Sequence, residues 1–256
     1  YNVWTYRRKI LKNIKYDPKK EICWIEELIR ENPKNFYFWE HRRAVANWNS
    51  RYCDAESELK LTEAILEEDS KSYHAWQHRQ WTIHTHKYSN FGLLSNEMKF
   101  TDELLLKDVR NNSAWNQRFY ILKQRGKTDF IVVKNEFSYV IEKIKNVFDN
   151  ESAWNYLRGI IENFPNIKKA QQFQDLIKFI ENEFYEKKNC NRHLIAFLID
   201  AKIEMILNFY ECNEIVHSQK VLQLCNLMAE RFDKTRKNYW KFIYKKFCFD
   251  KMQQRE

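Results

Sequence analysis

Glycine and proline are nearly missing: the 256-residue chain holds three of each. A β-rich protein needs many tight turns, which draw on Gly, Pro and Asn for their backbone angles. Rossmann and P-loop sites need clustered glycines where backbone meets phosphate. With Gly only at positions 92, 126 and 159, no such loop can be assembled. Helix interiors avoid both residues, so an almost entirely helical chain is expected. Long apolar runs are also lacking: no window approaches the about 18 uncharged apolar residues that a membrane-spanning helix requires. The chain is 44 % hydrophobic and 16 % aromatic, which excludes disorder. Six cysteines (Cys23, Cys53, Cys190, Cys212, Cys225, Cys248) are scattered and form no C-x-x-C pair. Reduced, mostly buried thiols of a cytoplasmic protein are expected, and no metal site built from this chain alone. The chain opens at Tyr1, without Met and inside a motif, so a missing N-terminal segment is expected.

What is present in excess is positive charge, +9 overall, from 44 Lys and Arg against 35 Asp and Glu. It is uneven. Arg7, Arg8, Lys9, Lys12, Lys15, Lys19 and Lys20 crowd the start, and Lys234, Arg236, Lys237, Lys241, Lys245 and Lys246 crowd the end. Solvated helix faces account for such runs most simply. An acidic partner or an anionic substrate drawn in by the field is the sharper reading. No nucleic-acid reader motif accompanies the charge.

Tryptophan is the second excess. Five of the nine fall in one frame, Trp4, Trp39, Trp76, Trp115 and Trp154, at intervals of 35, 37, 39 and 39 residues. Their neighbours recur as K-N-F-Y-F-W-E-H-R-R at 34–43, K-S-Y-H-A-W-Q-H-R-Q-W at 71–81, R-N-N-S-A-W-N-Q-R at 110–118 and N-E-S-A-W-N-Y-L-R-G at 150–159. A worn copy is expected near Asn191 and a last one around Trp240. Between the motifs, Ile22, Ile25, Leu28 and Ile29, and again Leu59, Thr62, Ile65 and Leu66, keep helical period. Each repeat reads as two antiparallel helices. A pair of this size cannot bury its own apolar face, so neighbours must stack. The prediction is an all-α fold, a right-handed α-α superhelix of six or seven stacked helical hairpins in one repeat domain over 1–256. In W-x-x-R, Trp and Arg share a helical face. Trp is expected to fill the gap between hairpins. Arg42, Arg79 and Arg118 are expected to stack on Trp or bond carbonyls and carboxylates of the adjoining repeat.

These motifs, with H-L-I-A-F-L-I-D at 193–200 and the final R-K-N-Y-W, strongly resemble the α subunit shared by protein farnesyltransferase and type I geranylgeranyltransferase. The resemblance implies a CaaX protein prenyltransferase, active only as a heterodimer. In it a β subunit holds the catalytic zinc and the isoprenoid cavity, and magnesium is a candidate companion of the diphosphate. The implied partners are that β subunit, a prenyl diphosphate and CaaX-terminated proteins such as small GTPases, in the cytoplasm. It implies a catalytic role for Lys34, which opens the first full motif at the mouth of a helix, where N–H groups and dipole favour an anion. It implies that Phe36, Tyr37, Tyr73 and His74 line the peptide and diphosphate edge. Lys71 is the second motif's counterpart of Lys34, for which a structural or solvated role is expected. Three residues depart from the family pattern: Phe36 where Tyr is common, Tyr37 where Gln is, and Ser72 where Asn is. These put peptide selectivity in doubt, not the fold. Two other readings are the α subunit of Rab geranylgeranyltransferase, which shares the repeat, and a non-enzymatic helical scaffold.

Overall fold

The computed structural model describes residues 2–48, 54–86, 92–125, 129–188, 191–208 and 214–253. Among these there are thirteen α-helices and no strand. The chain divides into two compact units, Tyr1–Arg125 and Gly126–Glu256.

The first unit opens with α1 (Asn2–Asn13) and continues with three antiparallel pairs. These are α2 (Pro18–Glu31) with α3 (Phe36–Ala46), α4 (Ala55–Glu68) with α5 (Tyr73–His86), and α6 (Leu93–Lys107) with α7 (Asn112–Arg125). The starts follow from local chemistry. Pro18 stands at the first position of α2, where a missing N–H costs least, and the Asp17 carboxylate accepts from Lys19 N. Asp54 caps α4 by accepting from Glu56 N and Ser57 N. Ile22, Ile25 and Ile29 form the buried stripe of α2, as Leu61, Thr62, Ile65 and Leu66 do for α4. Leu28 and Leu59, expected in those stripes, lie half-exposed at their borders.

The second unit holds α8 (Phe130–Asn146) with α9 (Glu151–Asn163), α10 (Gln171–Tyr185) with α11 (Arg192–Asn208), and α12 (Glu214–Leu227) with α13 (Lys237–Gln253). A 3₁₀ turn, Pro165–Lys169, follows α9, and a π-turn, Met228–Phe232, ends α12. The all-α class and the hairpin repeat are as the sequence predicts. At the start of α11, where the sequence leads one to expect a worn copy, the Asn191 side chain accepts from His193 N and Leu194 N.

Each tryptophan motif begins the second helix of a pair, and the four complete copies share one geometry. The indole N–H reaches back six residues to a carbonyl: Trp39 to Pro33, Trp76 to Ser70, Trp115 to Val109 and Trp154 to Phe148, at 2.7–2.9 Å. Trp240 uses the Asp233 carboxylate instead, at 2.9 Å. Trp39, Trp76, Trp115 and Trp154 are buried; Trp4 is half-buried. Their rings meet the next hairpin, Trp4 against Phe38 and His41, Trp39 against His78, Trp76 against Phe100 and Trp154 against Phe197. Each of these four contacts joins a tryptophan to the hairpin that follows it.

The cysteine expectation needs correction. Of the described cysteines only Cys225 is buried, Cys248 is half-buried and Cys23 is exposed, because Cys23 lies one step round α2 from its apolar stripe. Cys53, Cys190 and Cys212 lie outside the described residues.

Candidate functional site

Lys34 sits in a four-residue turn closed by Asn35 N donating to Asn32 O at 3.2 Å. The Trp39 indole pins the Pro33 carbonyl beside it, and Asn35 Oδ1 caps α3 by accepting from Tyr37 N at 3.0 Å. The turn is therefore held from both ends while the Lys34 side chain stays 81 % exposed. Its Nζ is 4.0 Å from Asp69 Oδ2, and the other oxygen of that carboxylate accepts from Lys71 N. A pair this long and this exposed is worth little, so the ammonium is left to act on something else.

The other four residues gather close by. Phe36 packs against Tyr37 and His74 with ring centroids 5.6 and 6.1 Å apart, and Tyr73 lies edge-on to His74 at 5.4 Å. Two consecutive second helices, α3 and α5, thus present their first turns together. Phe36, Tyr37 and Tyr73 are exposed, and His74 is half-buried with no hydrogen-bond partner for Nδ1 among the described residues. Behind them Arg43 donates to Gln77 Oε1 at 3.2 Å, tying α3 to α5. Burial pulls Arg43 below the usual guanidinium range, with Glu40 and Tyr73 opposing. Lys71 is exposed, as expected. A cleft of about 460 Å³ between α4 and α6, lined by Leu59, Arg79 and Phe100 among others, shares no residue with this cluster.

Arg42 and Arg79 bond carboxylates of the next hairpin, whereas Arg118 bonds α6 of its own, and the carboxylate partners are ones that sequence reasoning missed. Arg42 forks onto Glu58 of the next pair at 2.7 and 2.9 Å and also donates to Ile22 O. Arg79 repeats this on Glu97 at 2.7 and 2.8 Å, donates to Leu59 O, and lies 3.6 Å from the Phe100 ring centroid. Arg118 donates to Met98 O and Thr101 Oγ1. Arg7 forks onto Glu21. Glu21, Glu58 and Glu97 take a second donor from their own hairpins, His41, His78 and Gln117, and Glu136 accepts from Tyr156 in the same register. That second donor always stands 20 residues after its glutamate and two after its tryptophan. The constant spacing was the available signal.

Charge in this ladder follows burial and pairing. Burial alone raises Glu58, but His78 and Arg42 overcome it and hold the carboxyl at about 2. Burial likewise raises Glu21, and Arg7 and His41 bring it below its ordinary value. Burial lowers His41 and His78 despite the facing carboxylates. In this state each Nε2–H donates to its glutamate, and each buried Nδ1 has no partner among the described residues. Protonation would place an N–H there with nothing to receive it.

No group of three or more His, Cys, Asp or Glu among the described residues is placed to hold a metal ion, and no described helix is long and apolar enough to cross a membrane.

A family model described as the protein prenyltransferase alpha subunit repeat matches residues 18–49, 55–86, 94–125 and 133–164. The chain is also similar to a solved chain of Candida albicans protein geranylgeranyltransferase-I complexed with GGPP. Identity is 26 % over 96 % of this chain and 78 % of that one, with a TM-score of 0.80.

Proposed function

Because the chain belongs to the protein prenyltransferase alpha subunit repeat family, we propose that it is the α subunit of a heterodimeric CaaX prenyltransferase. The enzyme would transfer a farnesyl or geranylgeranyl group to a cysteine near the C-terminus of proteins such as small GTPases, in the cytoplasm. One observation carries the site: Lys34 is rigidly seated yet uncommitted at the opening of α3, with Phe36, Tyr37, Tyr73 and His74 gathered around the first turns of α3 and α5. The similarity to a geranylgeranyltransferase-I structure bound to GGPP supports the substrate class.

In the reaction the substrate sulfur forms a bond to C1 of the prenyl group. The C1–O bond breaks and its electron pair leaves with the diphosphate. Negative charge therefore grows on the departing oxygen. An ammonium aimed there, at a helix N-terminus, becomes worth more as the bond lengthens. Lys34 is the group this chain offers for that task. Phe36, Tyr37, Tyr73 and His74 would form the wall against which the peptide end lies. Zinc, and magnesium if it accompanies the diphosphate, belong in this reading to the partner side. No step of the proposal runs through a metal on this chain.

The test is co-expression with candidate β subunits, followed by transfer assays with farnesyl and geranylgeranyl diphosphate on CaaX peptides. Complex formation with transfer of either lipid supports the reading. A chain that assembles with no β subunit, or whose complexes transfer neither lipid, sinks it.

A further inference from the structure

The lysine-rich end of the sequence has no part in the reaction above. α13 is apolar on two sides. Trp240 and Phe247 are buried on one, where the helix packs on α11, α12 and the π-turn Met228–Phe232. On the other side Tyr239, Phe242, Phe249 and Met252 are exposed, Phe242 by 59 % and Met252 by 66 %. At 3.6 residues per turn these four span an arc of about 140°. Lys245 lies within the arc and Lys241 at its border, both exposed. The one carboxylate of α13, Asp250, is half-buried and lines a cleft against α11.

A solvated face has no reason to expose three aromatic rings and a methionine in one stripe, and such patches mark docking surfaces. The lysines choose the occupant. Protein interfaces are depleted of Lys, whereas an anionic bilayer accepts both kinds of residue at once. Phe and Met enter the acyl boundary, Tyr sits at headgroup level, and lysine stems lie along the surface with their ammonium groups among lipid phosphates and carboxylates. We propose that this face of α13 docks on an anionic lipid surface, in a plane parallel to the membrane.

The full chain, purified with whichever β subunit assembles with it or else alone, is sedimented with vesicles. One set is phosphatidylcholine alone, the other phosphatidylcholine and phosphatidylserine in equal amounts. The readout needs no transfer activity. Binding is expected to the mixed vesicles only and to weaken with salt. K241Q/K245Q should lower the partition about 25-fold, at about fivefold for each lysine. F242S/F249S should lower it by at least about 100-fold. Melting curves should match the parent for both, because all four side chains are exposed. If the phenylalanine variant melts lower, the lysine variant decides alone. Equal binding to both vesicle types, no binding, or variants that bind like the parent overturn the proposal. So does self-association without vesicle binding that F242S/F249S abolishes, which would assign the stripe to a second copy.

Discussion

Arg42 on α3 and Glu58 on α4 meet across two consecutive hairpins through a two-bond fork at 2.7 and 2.9 Å, both side chains almost wholly buried. Burying such a pair is costly, and the cost is offset only when every remaining hydrogen-bond site is filled. Here Ile22 O takes one further guanidinium N–H and His78 supplies the second donor to the carboxylate. Glu58→Ala should therefore destabilise by about 3–5 kcal/mol, because Arg42 is left buried with only the Ile22 carbonyl and a 3.4 Å contact to Glu26. Arg42→Met with Glu58→Leu should recover most of that loss. Urea denaturation of the three proteins decides it; a single variant as stable as the parent would remove the ladder from the stability of the array.

Trp76→Ala should damage the fold rather than the chemistry. The ring packs on Phe100 of the next hairpin and holds the Ser70 carbonyl. Truncating a buried Trp costs about 3–5 kcal/mol, and in a stacked array the loss reaches both neighbours. The melting temperature of the purified protein is the measurement. An unchanged value would mean that the hairpins are held together by something other than these rings.

Lys34→Ala should do the reverse. With an 81 % exposed side chain and only a loose approach to Asp69, its removal should shift stability by less than about 0.5 kcal/mol. Single-turnover transfer by the heterodimer should fall about 10²–10³-fold, with prenyl diphosphate binding little changed. Lys34→Arg should recover only part, since a planar fork replaces a compact charge. A defect confined to binding would take Lys34 out of the transfer step.

Acid should unfold the protein in two stages. His41 and His78 are held below 6.5 in the folded state, so the unfolded chain binds more protons as pH falls past that value, and stability declines. Glu58, at about 2 folded against 4.5 unfolded, adds a second loss that begins near pH 4.5 and is complete below about 2. That second stage is worth at most about 3 kcal/mol. Urea midpoints from pH 8 to pH 4 should fall throughout. His78→Gln should flatten the portion below pH 6.5, and a rise in stability between pH 8 and pH 6 would show the histidines to be charged in the folded protein.

Scarce glycine and proline made the helical class legible, and the tryptophan frame made the hairpins legible. The glutamates were not legible in the same way, because Glu is ordinary on any helix surface and its Arg partner lies 14, 16 or 18 residues away in different repeats. Lys34 at a helix mouth followed from Asn32-Pro33 and the Asn35 cap. That Phe36 and His74, 38 positions apart in the sequence, share a contact follows from hairpin stacking, which no local pattern encodes. Cys23 was misjudged because thiols are usually buried, whereas its place on α2 is set by the neighbours Ile22 and Ile25.

The fixed 20-residue step inside each of the first four hairpins has a further consequence for chain length. From one repeat to the next the tryptophan interval grows from 35 to 37 to 39, while the carboxylate-to-donor step never changes. All of the growth falls after the W-x-x-R arginine and before the next ladder glutamate. The segments from the W-x-x-R arginine to the next ladder glutamate, helix ends and connection taken together, are thus where chain length varies, and the turns that enter the tryptophan helices are rulers. A peptide tag or reporter domain spliced into the connection between α3 and α4 leaves every indole clamp and every ladder contact in register. A single residue added between Pro33 and Trp39 does not.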